Sequence, residues 1–252
     1  MANSTFNGEP LEILHIEGRR SLRVIWLCEE LGIPYSLSYK RGDVIGSLMS
    51  LREKNPAMPI VPSVRFGDDW IVESGAILSI LQARYGNGRL VPPVDSPDYP
   101  HHAQWMHYAE GTAAARLMSA RLAAMAAGQT PDDMPKGYRR GDRDNPENFA
   151  QMVGPWTVFD HVEEYLTSHR YFSGKEFGMA DIMMHFPVRM AHMILWIDIA
   201  QDYPAIAEWR TRVEQRPAFE RASAAAAPDG VDESGVPAND PAEQLFGRPK
   251  VG

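Results

Sequence analysis

The stretch Asn55–Ser74, NPAMPIVPSVRFGDDWIVES, decides the fold. Val61-Pro62 leads into an alternating run at Val64 and Phe66, a turn at Gly67-Asp68-Asp69 and a second apolar run, Trp70, Ile71 and Val72. Glu73-Ser74 then opens a helix, so the stretch reads as a hairpin followed directly by a helix. A cis bond before Pro62 would turn the preceding carbonyl and the Val61 N–H outward beside the strand edge, where an extended peptide can pair with them. Ser74 at the helix N-terminus would offer a hydroxyl and free N–H groups to a carboxylate. Together these features make a receptor for the backbone of a small acidic peptide.

Toward the N-terminus, residues 11–14 (LEIL) form a short strand-like run. EGRRSLRVIWLCEELGIP follows, with Val24, Leu27, Cys28 and Leu31 spaced as one helix face and Gly32 and Pro34 closing it. Tyr35 to Tyr39 alternates like a half-buried strand, and residues 44–54 read as a weaker helix. Short joints between strand, helix and strand favour a right-handed unit with parallel strands. With a helix from Ser74 to Tyr85, the order is β-α-β-α-β-β-α.

Toward the C-terminus, residues 87–98 lie in a Gly- and Pro-rich linker that separates a domain at 1–86 from an all-α domain at 99–227. That second domain begins with a long helix at 99–127, interrupted after it by the polar, Pro/Gly-rich residues 128–146. Further helices are expected at 147–168, 179–200, 204–215 and 217–226, and the tail 228–252 reads as extended or disordered.

A net charge of −8 with no basic block argues against nucleic acid as a partner. The N-terminal MANSTFNGEP is polar, and no run reaches the roughly 18 apolar residues of a membrane span, so a cytoplasmic protein without membrane partners is expected. One cysteine, Cys28, excludes an internal disulfide framework and a cysteine-rich metal site. His101, His102 and His107 lack a nearby cysteine or paired acidic ligand, so no metal is expected.

Five segments, in order, resemble the soluble glutathione S-transferase family, in particular a bacterial and fungal subgroup. They are SLRVIWLCEELGIPY (21–35), the Asn-Pro and Val-Pro pairs of 55–62, ESGAILSIL (73–81), QWMHYAEGT (104–112) and YFSGKEFGMAD (171–181). The resemblance spans roughly residues 11 to 222 and implies an α/β thioredoxin-like N-terminal domain, an all-α helical domain and a homodimer. It implies glutathione as the cosubstrate, held by Val61, Pro62, Glu73 and Ser74. Glu73 would accept from the ligand ammonium and Ser74 would donate to the γ-glutamyl carboxylate. Asp181 is expected to hold the second domain's core together.

The resemblance also implies a transferase of detoxification type, in which the glutathione thiolate attacks an electrophilic, mostly apolar small molecule. A free thiol with pKa near ~8.5 is mostly protonated at neutral pH, and lowering it by about two units stabilises the thiolate by ~2.7 kcal/mol. The family places a Tyr, Ser or Cys after the first strand for this task, but here the segment is His15-Ile-Glu-Gly-Arg-Arg-Ser. Ser21 is its nearest hydroxyl, and Arg19 and Arg20 are the cationic alternatives. That departure leaves open a non-catalytic binding or carrier protein on the same fold. From the long helix, Trp105, Tyr108 and Arg116 are candidates for lining the substrate pocket, with core packing as the competing role for the aromatics.

Overall fold

A computed structural model describes residues 10–128, 155–195 and 199–231. These divide into two compact units, 10–91 together with 214–231, and 92–213. Of the expected segments, residues 129–146, the start of the 147–168 helix and the tail beyond 231 lie outside the described residues.

The first unit is built on a four-stranded sheet of β1 (Leu11–Leu14), β2 (Tyr35–Ser38), β3 (Ser63–Phe66) and β4 (Asp69–Ile71), in the order β2-β1-β3-β4. β1 and β2 are parallel, with Leu11 opposite Tyr35 and Leu14 opposite Ser38. The crossover between them is α1 (Ser21–Leu31), as the short joints predict. Gly32 ends α1 at φ 71°, where its N–H reaches the Cys28 carbonyl, a left-handed cap that favours glycine. α2 (Val44–Lys54) starts from Asp43, whose carboxylate accepts from the Gly46 N–H at 2.7 Å.

β3 pairs antiparallel with both β1 and β4. The hairpin turn is one residue tighter than expected: Asp69 already belongs to β4, and Gly67 takes φ 66° in a turn made of Gly67 and Asp68. A two-residue loop that opens with positive φ matches the twist of the strands it joins. α3 (Ser74–Tyr85) follows. Ile13, Val24, Leu27, Cys28, Val64, Ile77, Leu78 and Leu81 are all wholly buried, so β1, β3, α1 and α3 close one apolar core.

The second unit is helical. α4 (Tyr99–Tyr108) passes through a π-helical segment, Ala109–Ala114, into α5 (Ala115–Ala126), where the sequence pattern predicted one uninterrupted helix. The segment AEGTAA carries only small residues and one each of Glu and Thr, so the wider turn meets little side-chain crowding. α6 (Pro155–Ser168), α7 (Met179–Leu195), α8 (Ile199–Asp202) and α9 (Pro204–Glu214) complete it.

The chain then returns to the first unit, where α10 (Pro217–Ala226) packs on α1. Phe219 meets the buried Trp26 ring edge-on at 4.8 Å, and Arg216 and Arg221 reach Glu30 and Glu29 with 2.6 and 2.7 Å contacts. Among the described residues no helix is long and apolar enough to cross a membrane.

Candidate functional site

The Val61–Pro62 peptide is cis. Asn55, buried after α2, braces the loop that carries it: its Nδ2 donates to the Met58 carbonyl at 2.7 Å and to Ser63 Oγ at 3.2 Å. Val61 packs against a small cluster of Leu14, Ile16, Val44 and Leu51, with Trp70 beside it. Among the described residues no group hydrogen-bonds the Val61 N–H or carbonyl. An extended backbone laid beside Val61 would therefore meet one donor and one acceptor not already engaged within the unit.

Glu73 and Ser74 stand at the N-terminus of α3. Glu73 has φ 68° and ψ 103°, a conformation that costs a non-glycine residue roughly 1–3 kcal/mol and that recurs where a ligand is clamped. Its side chain is exposed and makes no cap to the helix. Ser74 is 4% exposed, and its Oγ accepts from Arg23 Nη1 at 2.9 Å. Arg23 comes from α1 and is itself 2% exposed. The sequence signal for it is that Arg23 is the one charged residue within the apolar run Leu22–Cys28.

The segment 15–21 is held differently from what its residue types suggest. Ser21 is 0% exposed, and its Oγ lies 2.7 Å from His15 Nδ1. His15 Nε2 lies 2.7 Å from the carbonyl of Ala226, the last residue of α10. A carbonyl can only accept, so Nε2 carries the proton. Burial lowers the His15 pKa to about 4, the Ala226 bond pulling weakly the other way, so near neutrality the ring is uncharged and Nδ1 is an acceptor. The Ser21 proton is thereby committed to His15, and the hydroxyl is wholly buried. Arg19 and Arg20 are the half-exposed residues of the segment, and Arg20 begins α1 without a side-chain cap. Glu17, buried beside them, accepts from the Gly42 N–H at 2.8 Å and ties the segment to the β2–α2 connection. Cys28 is wholly buried, which pushes its thiol up and leaves it inert.

In the second unit, Trp105 is 0% exposed inside an aromatic cage of Tyr108, His161, Tyr165 and Phe172, with ring centres 4.8–5.3 Å away. In that cage the indole packs the core and has no exposed face for a substrate. Tyr108 and Arg116 are both half-buried. Burial pushes the Tyr108 hydroxyl up to about 12, while the Arg116 charge nearby draws it down. In an uninterrupted α-helix residues eight apart diverge by about 80°, but the wider π turn between these two rotates them back toward one face.

Asp181 anchors the start of α7: Oδ1 accepts from the Phe172 N–H at 2.8 Å and Trp209 Nε1 at 2.9 Å, and Oδ2 from the Gly178 N–H at 2.9 Å. Gly178 supplies no capping side chain, and the reciprocal arm of the capping box from Asp181 forms without it. Among the described residues no group of three or more His, Cys, Asp and Glu is placed to hold a metal.

Residues 117–217 match the family described as glutathione S-transferase, C-terminal domain. Glutathione S-transferase 3 of Schizosaccharomyces pombe is 27% identical over 213 residues, 81% of this chain and 83% of that protein. Among solved structures, a glutathione S-transferase from Actinobacillus pleuropneumoniae shares the fold with a TM-score of 0.68 at 24% identity, covering 91% of this chain and 98% of its own. A theta-class glutathione S-transferase from Xanthomonas axonopodis pv. citri, solved with glutathione bound, gives a TM-score of 0.61 at 22% identity, covering 85% and 97%. The helical part of the chain thus matches the glutathione S-transferase C-terminal domain, the chain is similar along most of its length to a fungal glutathione S-transferase, and it shares the fold of solved glutathione S-transferases.

Proposed function

We propose that the protein binds glutathione along Val61, Pro62, Glu73 and Ser74 and transfers it to an electrophilic, mostly apolar small molecule in the cytoplasm. The observation that carries this reading is the pairing, within one unit, of the unengaged Val61 backbone with Ser74 at an α3 N-terminus that no side chain caps. The cysteinyl backbone would pair with Val61 N–H and C=O. The γ-glutamyl carboxylate would take the Ser74 hydroxyl and the first N–H groups of α3, and the ammonium would face Glu73. The glutathione-bound state of the Xanthomonas structure supports the choice of ligand.

Thiol activation falls to Arg19 and Arg20, because Ser21 is buried and its proton serves His15. A cation close to the sulfur favours the thiolate, helped by the positive end of the α1 dipole. The thiolate then attacks the electrophile, forming a C–S bond as the leaving group departs or as the electron pair moves onto the acceptor. Tyr108 and Arg116 are the proposed contacts to that second substrate, with Trp105 as packing behind them. The buried Ser21 also favours a second reading, a carrier that binds glutathione without ionising it.

A glutathione titration combined with thiolate absorbance from about pH 5 to about pH 9 separates the two. A bound thiol that ionises about two units below its value in water supports the transferase, and an unshifted thiol supports the carrier. No binding at millimolar glutathione overturns both.

We also propose a homodimer. Ile45, Leu48 and Met49 on α2 are exposed large apolar side chains, as are Met118, Leu122 and Met125 on α5, and exposed apolar side chains close together on one helix suit an association surface.

A further inference from the structure

The geometry points to Arg116, with the Tyr108 hydroxyl beside it, as an anion-binding pair that selects second substrates carrying a carboxylate on an apolar body; the inference rests on the transferase reading above. Arg116 is half-buried, yet among the described residues it makes no hydrogen bond, ion pair or ring contact. Every other described arginine that is buried or half-buried has a partner. Arg216 reaches both Glu30 oxygens, at 2.6 and 2.8 Å, and Arg212 gives Nη1 to the Arg170 carbonyl at 2.9 Å. A charge drawn part-way out of water is ordinarily paired, so an unpaired one at this depth marks a place for a partner that the chain does not supply.

Tyr108 brings a second donor. Its ring is set edge-on to Trp105 with centres 4.8 Å apart and lies 5.6 Å from the His161 ring, so the ring is held, while among the described residues its hydroxyl makes no hydrogen bond. Burial raises that hydroxyl to about 12, with the Arg116 charge near enough to offset part of the rise, so at neutral pH the proton stays on and can be donated. The wider turn of Ala109–Ala114 brings the two residues toward one face, and helix side chains lean toward the N-terminus, so Arg116 reaches back toward Tyr108. A guanidinium only donates, through a planar fork that matches the two oxygens of a carboxylate. A neutral electrophile leaves that charge unmatched, so the pair discriminates between an acid and its ester.

The test uses a chloronitrobenzoate and its methyl ester with glutathione. In both, the thiolate forms a C–S bond at the ring carbon that bears chlorine, the nitro group holds the electron pair, and chloride leaves with the pair of the C–Cl bond. Turnover is divided by the uncatalysed rate of each compound, which removes their difference in intrinsic reactivity. Native protein is expected to prefer the acid by about ten-fold in kcat/KM. Arg116→Met brings that preference to about parity through KM for the acid. Arg116→Lys keeps part of it, because the charge survives without the fork, and Tyr108→Phe lowers it about three-fold. Glutathione affinity, read by calorimetric titration, stays that of native protein in each variant.

A native preference near parity, or an equal loss for acid and ester in Arg116→Met, overturns the assignment. So does a fall in glutathione affinity in Arg116→Met, which places the guanidinium on a carboxylate of glutathione instead. Where thermal melting shows Arg116→Met to be unfolded, unreactive probes decide. A methylnitrobenzoate bound by native protein about ten-fold more tightly than its amide, with that margin reduced in Tyr108→Phe, supports the proposal, and equal binding overturns it. Native protein that binds glutathione but turns over neither chloroarene refutes the transferase reading, an outcome distinct from the failure of Arg116, which the unreactive probes still test.

Discussion

Ser21 and Asp181 are buried polar residues whose value lies in the donors and acceptors around them. Removing the hydroxyl in Ser21→Ala leaves His15 Nδ1 without the donor that meets it, and an unmet buried acceptor costs about 1–3 kcal/mol. Urea denaturation is expected to register that loss, while the titration of bound glutathione stays as in native protein. Arg19→Ala combined with Arg20→Ala should do the reverse, raising the thiol pKa of bound glutathione by about one unit with little change in stability. Asp181 is more demanding, because burial raises its pKa to about 6 against the Trp209, Gly178, Phe172 and Ser173 donors that pull it down. Asp181→Asn turns an NH2 group toward N–H donors on one side of the carboxylate, so a loss of about 3 kcal/mol is expected in chemical denaturation.

Among the elements, α1 tests how local backbone chemistry sets the frame. Gly32 has φ 71° with no atom near a built Cβ, so Gly32→Ala meets only backbone strain; a destabilisation of about 1 kcal/mol, read as a lower melting temperature, is expected. This cap was legible from the sequence because Gly32 and Pro34 follow an apolar face of fixed period. The hairpin, the parallel crossover and the start of α3 were legible for similar reasons, each written in turn residues and alternation over a few positions. The π segment was not, since AEGTAA has the helix propensity of any alanine-rich stretch and its widening comes from packing. Nor was the His15–Ser21 pairing, which depends on a carbonyl more than two hundred residues away: the sequence exposes a hydroxyl near the right place, and the fold spends it. Glu73 and Ser74 were visible as residues, but Arg23 beneath them became visible only when α1 met α3.

At the scale of the whole molecule, two buried histidines set the acid response. His15 in the first unit and His102 in the second, where Nδ1 meets Ser173 Oγ at 3.0 Å, both have pKa values lowered to about 4 by burial. Unfolding returns them toward about 6.5, so between roughly pH 4 and 6.5 the unfolded chain binds more protons than the folded one. Their contribution to stability is full above about pH 6.5 and is lost as pH falls toward 4. Asp181 has the opposite sign: its raised pKa makes its contribution fall as pH rises from about 4 to about 6, offsetting part of one histidine. The net expectation is a melting temperature that drops as pH falls through about 6.5 to 4.5, with a shallower slope in His15→Gln or His102→Gln. Light scattering on eluted protein is expected to give twice the 28.2 kDa chain mass, with Met49→Asp shifting the population toward the monomer.

The return of residues 214–231 to the first unit has a consequence for the order of assembly. On the ribosome, β1 through α3 emerge early, but the Trp26 face of α1 and the His15 ring wait for Phe219 and the Ala226 carbonyl, which are translated after the entire second unit. At about 5–20 residues per second the interval is many seconds, long enough for a nascent thioredoxin-like sheet to present an uncovered tryptophan to chaperones. Residues 10–91 made alone therefore bind a hydrophobic dye, and adding a peptide spanning 214–231 in trans closes that face.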